Sequence, residues 1–316
     1  MNHLKLLIGF ALVGVMALLF SCKMTPKKFT DETPTRGSIK IAVDESYQLL
    51  TDAELYTFLS IYKDAKVAPT YLPGDSILKL FLDDSVRVII TSSKLTDNEL
   101  AYLRGKSIIA RTTKIAYDAL AFIINKSNPD QNIRFNALKD IFTGKITRWN
   151  QVNPQSKLDD IKIVFDSPGS NNVKYIMNKF GITGSLPGNC FSASKNSEVI
   201  NYVEKHPEAI GVISVNWISD PRDSISHSFL SKIKVVSLTS EFNSEGSDFY
   251  SPHPAYIANQ NYPFTREVYT INRETFAGLG TGFTSFVAGD AGQRIILKMG
   301  MLPATMPVRL VEVKLK

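Results

Sequence analysis

Short β-branched and aromatic runs alternate along this chain with segments whose apolar residues recur every three or four positions. The clearest case lies between residues 161 and 180. Ile161, Ile163, Val164 and Phe165 predict a strand, and Asp166-Ser167-Pro168-Gly169-Ser170 interrupts it with turn residues. Val173, Ile176, Met177 and Phe180 then fall on one helical face, with Ser170 or Asn171 as N-cap. The same reading predicts strands at residues 39–43, 67–72, 86–90, 114–125, 210–215, 233–238, 255–258, 268–271 and 308–313. Helices are expected around Leu55, Phe58 and Tyr62, around Ile77 and Phe81, and around Leu138 to a glycine stop at Gly144. Two more are expected, around Val199 and Val203 and across residues 283–299, the latter interrupted at Gly289-Asp290. Thr96-Asp97-Asn98-Glu99 has the spacing of a capping box. Residues 240–254 read as a loop, and Gly278, Gly280 and Gly282 as a flexible turn before a helix.

Strands alternating with helices predict an α/β chain. Three of the strand-to-helix turns carry serine: Ser46, Ser92-Ser93, and the stretch from Ser167 to Asn172. In open α/β sheets ligands lie beyond the carboxyl ends of strands. Helix N-termini present unpaired N–H groups and partial positive charge. Three such turns can therefore converge on one small anion; an ordinary capped helix is the plainer reading of each alone.

Composition changes this picture little. The chain has 316 residues, 44% hydrophobic and 21% charged, which is ample for two lobes. Its net charge of +6 is spread without a basic run, so nucleic acid is not an expected partner. The N-terminus is different. Residues 1–21 have Lys5 followed by an apolar run that ends at Leu19-Phe20-Ser21-Cys22. That end resembles a bacterial lipobox, which implies cleavage before Cys22 and lipid on its thiol; a plain signal peptide or membrane anchor is the alternative. Residues 22–36 are polar and aperiodic and read as a flexible tether. Cys190 is then left without a disulfide partner and reads as a packing residue.

Catalytic signatures are missing from the sequence. His3, His206, His227 and His253 have no metal-ligand spacing, and no cofactor or metal is expected. Gly105-Lys106-Ser107 looks like the end of a phosphate-binding P-loop, but Leu100 stands where its first glycine belongs. No Gly-x-Ser-x-Gly elbow occurs.

Several stretches resemble one family. They are Ala116-Tyr117-Asp118-Ala119-Leu120-Ala121-Phe122, the run LKDIFTGKITRW over residues 138–149, His206-Pro207-Glu208-Ala209-Ile210-Gly211-Val212 and Tyr262-Pro263-Phe264-Thr265-Arg266. The helical stretch with Gly292-Gln293 and Gly300 belongs with them. Together they resemble the PstS-like phosphate-binding proteins of ABC importers, over roughly residues 37–307. The resemblance implies a type II periplasmic-binding-protein fold, two α/β lobes joined by two crossing strands with the ligand between them. Lobe one is expected at 37–116 plus 257–316, and lobe two at 117–256. It further implies a periplasmic, membrane-anchored, monomeric binding protein, not an enzyme, with phosphate or a similar oxyanion as ligand. The expected partners are an ABC permease and a lipid bilayer reached through Cys22.

The ligand loop departs from the family pattern S-R-x-S-G-S-G-T, since Asp166 stands at the arginine and Asn172 at the threonine. Expected anion-binding residues are Ser46, Ser92, Ser93, Asp166, Ser167, Gly169, Ser170, Asn171 and Asn172. Hydroxyls of Ser46, Ser92 and Ser170 are expected to donate, and the N–H groups from Gly169 to Asn172 to cradle the anion. Asp166 either accepts the proton of a protonated phosphate, rejecting sulfate, or is a loop carboxylate facing solvent. Asp44 and Glu45 add negative charge if they face the cleft. The lost arginine leaves a second reading open, a binding fold reused as a sensor or adaptor or for another ligand.

Overall fold

The computed structural model describes residues 32–218 and 224–306. The expected signal segment, Cys22, most of the tether and the strand expected at 308–313 lie outside the described residues. The described residues from Thr33 onward form one compact unit.

The first half begins with β1 (Gly37–Asp44), a 3-10 turn over Glu45–Tyr47, α1 (Gln48–Ile61) and β2 (Ala65–Leu72). It continues through α2 (Gly74–Leu82), β3 (Val88–Thr91) and α3 (Asp97–Gly105). Thr96 and Glu99 close the expected capping box on α3. Next comes β4 (Arg111–Asn125), whose continuous apolar run is buried on both faces. The second half runs through β5 (Asn132–Ile133), α4 (Phe135–Phe142), α5 (Trp149–Val152), β6 (Lys162–Phe165), α6 (Asn171–Phe180) and β7 (Cys190–Ser192). It continues with α7 (Asn196–Lys205), β8 (Ala209–Ser214), α8 (Ser224–Leu230), β9 (Ile233–Val235), β10 (Ser237–Thr239) and β11 (Phe249–Tyr250). The chain returns through α9 (Pro254–Ala258), β12 (Thr265–Asn272), α10 (Leu279–Ala288), α11 (Asp290–Lys298) and β13 (Leu302–Pro303).

The main sheet runs β2-β1-β3-β12-β4-β8-β6-β7. β4 belongs to both halves. Its residues from Arg111 to Ala119 pair antiparallel with β12, and Leu120 to Ile124 pair antiparallel with β8. The returning segment touches β4 at that changeover. Phe264 accepts a hydrogen bond from the Leu120 amide, and the Tyr262 hydroxyl donates to the Leu120 carbonyl at 2.7 Å. Phe264 also packs edge-on against Phe122 with ring centroids 4.7 Å apart.

Three expectations are corrected. Residues 255–258 form a helix, not a strand, because Pro254 opens it at the first turn and His253 Nδ1 accepts the Ala255 amide. The strand expected at 233–238 breaks in two at Val236, whose amide turns to the Phe122 carbonyl. Gly280 and Gly282 lie inside α10, not in a turn. A Cβ on Gly282 would stand 1.7 Å from the Pro34 carbonyl oxygen, so glycine is required there by space.

Trp149 is fully buried, with its indole N–H on the Glu208 carbonyl, as a core residue should be. Cys190 is half-buried, and burial pushes its thiol up to about 12, which leaves it inert near neutrality.

Candidate functional site

The carboxyl ends of β1, β3 and β6 meet at one point. β1 delivers Asp44, which is fully buried. Its Oδ1 accepts the Ser46 amide at 3.0 Å and caps the 3-10 turn. Its Oδ2 accepts Asn171 Nδ2 at 2.6 Å. β3 ends at Thr91, whose hydroxyl oxygen accepts Asn171 Nδ2 at 3.1 Å. Ser93 Oγ donates to Asn171 Oδ1 at 2.9 Å. From β6 comes Asp166, only 2% exposed, which excludes the solvent-facing alternative.

The turn after Asp166 is built by local chemistry. Ser170 caps α6, its hydroxyl oxygen accepting the Val173 amide at 3.3 Å. The Ser170 amide is already committed to the Ser167 carbonyl, so the expected cradle of N–H groups loses that member. Ser167 and Gly169 stand at the half-buried rim. The Gly169 carbonyl accepts the Asp75 amide at 3.4 Å, and the Asp75 carboxylate lies beside it, away from the buried cluster. Ser92 leans on the Tyr47 hydroxyl. Ser46 Oγ reaches Asn172 Oδ1 at 3.4 Å. The structure thus brings Ser46, Ser93, Asp166, Ser170, Asn171 and Asn172 together, sets Ser92 against the Tyr47 hydroxyl beside them, and leaves Ser167 and Gly169 at the margin.

Sequence reasoning missed several contributors. Arg266 on β12 is buried, with its Nε donating to Asp118 Oδ2 at 2.9 Å and its guanidinium 5.5 Å from the Tyr47 ring centroid. Nη2 is also 2.9 Å from Asp118, but neither terminal nitrogen makes a well-directed hydrogen bond among the described residues. Asp118 on β4 further accepts from Ser214 Oγ at 2.8 Å and the Tyr47 hydroxyl at 3.2 Å. Asn196 opens α7 and donates through its amide and its side chain to Glu45. Asn216 donates to the Ser46 carbonyl at 2.7 Å, and Trp217 to the same oxygen at 3.0 Å. Arg266 had a signal, the Tyr262-to-Arg266 stretch that carried the resemblance. Asn196 and Asn216 are single amides beside apolar runs, and no spacing marks them.

Several buried polar atoms around Ser46 find no hydrogen-bond partner among the described residues: Asn172 Nδ2 and Arg266 Nη1 and Nη2 as donors, and Asp166 Oδ1, Asn196 Oδ1 and Asn216 Oδ1 as acceptors. Buried polar atoms are costly unless paired, so this cluster is built to meet a polar guest. The electrostatics agree. Burial pushes the Asp166 carboxyl up to about 6; the Ser170 hydroxyl and the Ser167 amide pull it back, while the Asp44 charge adds to the rise. Burial likewise pushes Glu45 up to about 7, against the stabilising hydrogen bonds of Asn196. Asp118 is raised by burial despite its pairing with Arg266.

A sheet whose halves share β4, with a buried polar site at the strand ends between them, defines the two-lobed α/β binding-protein fold. The family model described as the PBP superfamily domain matches residues 30–291, and the chain belongs to that superfamily. Among curated relatives, the phosphate-binding protein PstS of Staphylococcus epidermidis strain RP62A is 24% identical over 300 residues, 91% of this chain and 85% of its own length. PstS of Staphylococcus aureus strain USA300 is 26% identical over 245 residues, 73% of this chain and 68% of its own. A solved Clostridium perfringens chain, described as a phosphate ABC transporter substrate-binding protein with bound phosphate, matches with a TM-score of 0.72 at 21% identity. It covers 85% of this chain and 100% of its own. At that identity the likeness speaks for the type II fold.

Proposed function

We propose that this protein captures phosphate, or a closely similar oxyanion, between its two lobes and delivers it to an ABC permease. The observation that carries this reading is the buried cluster around Ser46, where Arg266 Nη1 and Asn172 Nδ2 lack partners among the described residues and Asp166 Oδ1 lacks a donor, although Arg266 Nε and Nη2 are held by Asp118. Arg266, reaching in from β12, supplies the cation that the ligand loop lacks at Asp166. An arginine offers charge-assisted bonds to an oxyanion, and Asn172 adds a neutral donor. Asp166 Oδ1 accepts the proton of a protonated phosphate; fully deprotonated sulfate has none to give, and two acceptors then face each other. The names of the PstS relatives support the same ligand class.

Lobe one comprises residues 37–116 and 257–316, lobe two 117–256, and the lobes close by bending where β4 and the Tyr262–Phe264 segment adjoin. Ser46, Asp166, Asn172 and Arg266 contact the ligand. Cys22 carries lipid and anchors the protein, as a monomer, to a bacterial membrane facing the periplasm.

Titration calorimetry on the chain from residue 23, stripped of phosphate, tests this reading. Heat with phosphate and none with sulfate at pH 7 is expected. Silence with both anions from a folded sample overturns it. A second reading, a sensor or a receptor for another ligand, is favoured by one observation: four buried carboxyl groups, Asp44, Glu45, Asp118 and Asp166, surround the single arginine.

A further inference from the structure

Asn171 and Asn172 are neighbours at the start of α6, yet their side chains are used differently. Asn172 Oδ1 accepts the Ser46 hydroxyl at 3.4 Å, while its Nδ2 is buried without a partner among the described residues. Asn171 is 3% exposed, and its amide is engaged on both ends. Nδ2 donates to Asp44 Oδ2 at 2.6 Å and to Thr91 Oγ1 at 3.1 Å, and Oδ1 accepts Ser93 Oγ at 2.9 Å. All three partners follow from β1 and β3, whereas Asn171 follows from β6. One of the bonds ends on a carboxylate, and such bonds are about twice as strong as neutral ones.

The opposing surface is shaped for this side chain. Gly74, the first residue of α2, is buried, and a Cβ there would stand 2.6 Å from both Nδ2 and Oδ1 of Asn171. Its backbone is not in the left-handed region, so glycine is needed at this position for space and not for conformation. A side chain bonded three times across the gap, with a notch that only glycine leaves open, is a fitted contact. The nearby Lys174–Asp75 ion pair is solvent-exposed and adds little.

We propose that Asn171 and Gly74 form a lobe-to-lobe latch, in which Asn171 sets how long the ligand is held without touching it. The inference rests on the two-lobed capture reading above. Breaking the latch favours the open arrangement, and a ligand held between lobes leaves through that arrangement, so the effect falls on the release rate.

The test uses the full chain with Asn171→Ala, Gly74→Ala and the two combined. Phosphate release is followed by stopped flow, and the ligand-free proteins by small-angle scattering. Each single change should speed release by roughly 10- to 100-fold, the loss of two or three good hydrogen bonds, while association changes little. The scattering radius should grow. The combined variant should match the single ones, because both remove the same contact across the gap; a role confined to α6 would give no coupling to Gly74. Asn172→Ala is the contrast, weakening affinity without expanding the ligand-free chain. Unchanged release together with unchanged scattering, or additive effects in the combined variant, overturns the latch. If wild-type protein binds no phosphate, the capture reading falls, and scattering alone then decides the latch.

Discussion

Asp166 is a carboxyl group that the fold holds in an unfavourable place for charge. Its ordinary value of 3.8 rises to about 6 through burial, so between about pH 4 and pH 6 the folded chain binds more protons than the unfolded one. Stability contributed at this residue is therefore lost as pH rises through that window. Asp166→Asn removes the penalty. Denaturation at pH 8 should show a gain of about 3 kcal/mol, with no gain below pH 4. The same change removes the acceptor aimed at the ligand's proton, so calorimetry should show discrimination between phosphate and sulfate shrinking. A stability gain with selectivity intact would place Asp166 outside the ligand shell. Glu45 follows the same sign over a window reaching about pH 7, moderated by the Asn196 bonds.

At the scale of the element, α1 shows how a helix can carry a polar pair into a core. Leu50, Leu55 and Phe58 are buried against the sheet and α10, and Phe58 meets Phe283 edge-on at 5.3 Å. Thr51 and Glu54, one turn apart, are buried with them, and neither the threonine hydroxyl nor either carboxylate oxygen finds a partner among the described residues. Burial pushes Glu54 up to about 9, so at neutral pH it is a neutral acid. Stability falls as pH rises from about 4.5 toward 9 on its account. Glu54→Gln keeps the shape and removes the titration. Thermal melts should show it more stable than wild type at pH 9 by about 2 kcal/mol or more, and equal at pH 4. A pH-independent difference would mean that Glu54 has a charged partner in the folded state.

For the whole molecule, contacts that cross between the halves matter most. Asn171, the Glu45–Asn196 pair and the two donors on the Ser46 carbonyl hold the ends of β1 and β3 against elements that follow β4. A ligand bound among them stabilises only the folded chain. At a hundredfold excess over its dissociation constant, phosphate should add about 2.7 kcal/mol and raise the melting temperature by roughly 5 °C. Scanning calorimetry with phosphate and with sulfate checks this, and equal shifts with both would count against a proton-reading site.

The order and kind of most elements could be read from the chain alone, because local periodicity and caps are short-range facts. The apolar run of β4, the Thr96–Glu99 box and the Ser170 cap were all readable as written. The sequence also marked the three serine-bearing turns, since turn chemistry needs those residue types. It misread residues 255–258, where four apolar-rich positions fit strand and helix alike and the Pro254 start was decisive. Partnership came only with the packed fold. Arg266 lies buried on a strand 100 residues after Asp166, and although the Tyr262-to-Arg266 stretch marked it as part of the resemblance, only the fold brings it against Tyr47 and Asp118. Asn171 and Asn172 look alike in the chain, and their different surroundings come from what lies across the gap: Gly74, Asp44, Thr91 and Ser93 for one, and the Ser46 hydroxyl on Oδ1 for the other. Burial, set by the whole packed molecule, is what turned Asp166 from an ordinary loop carboxylate into a group that titrates near neutrality.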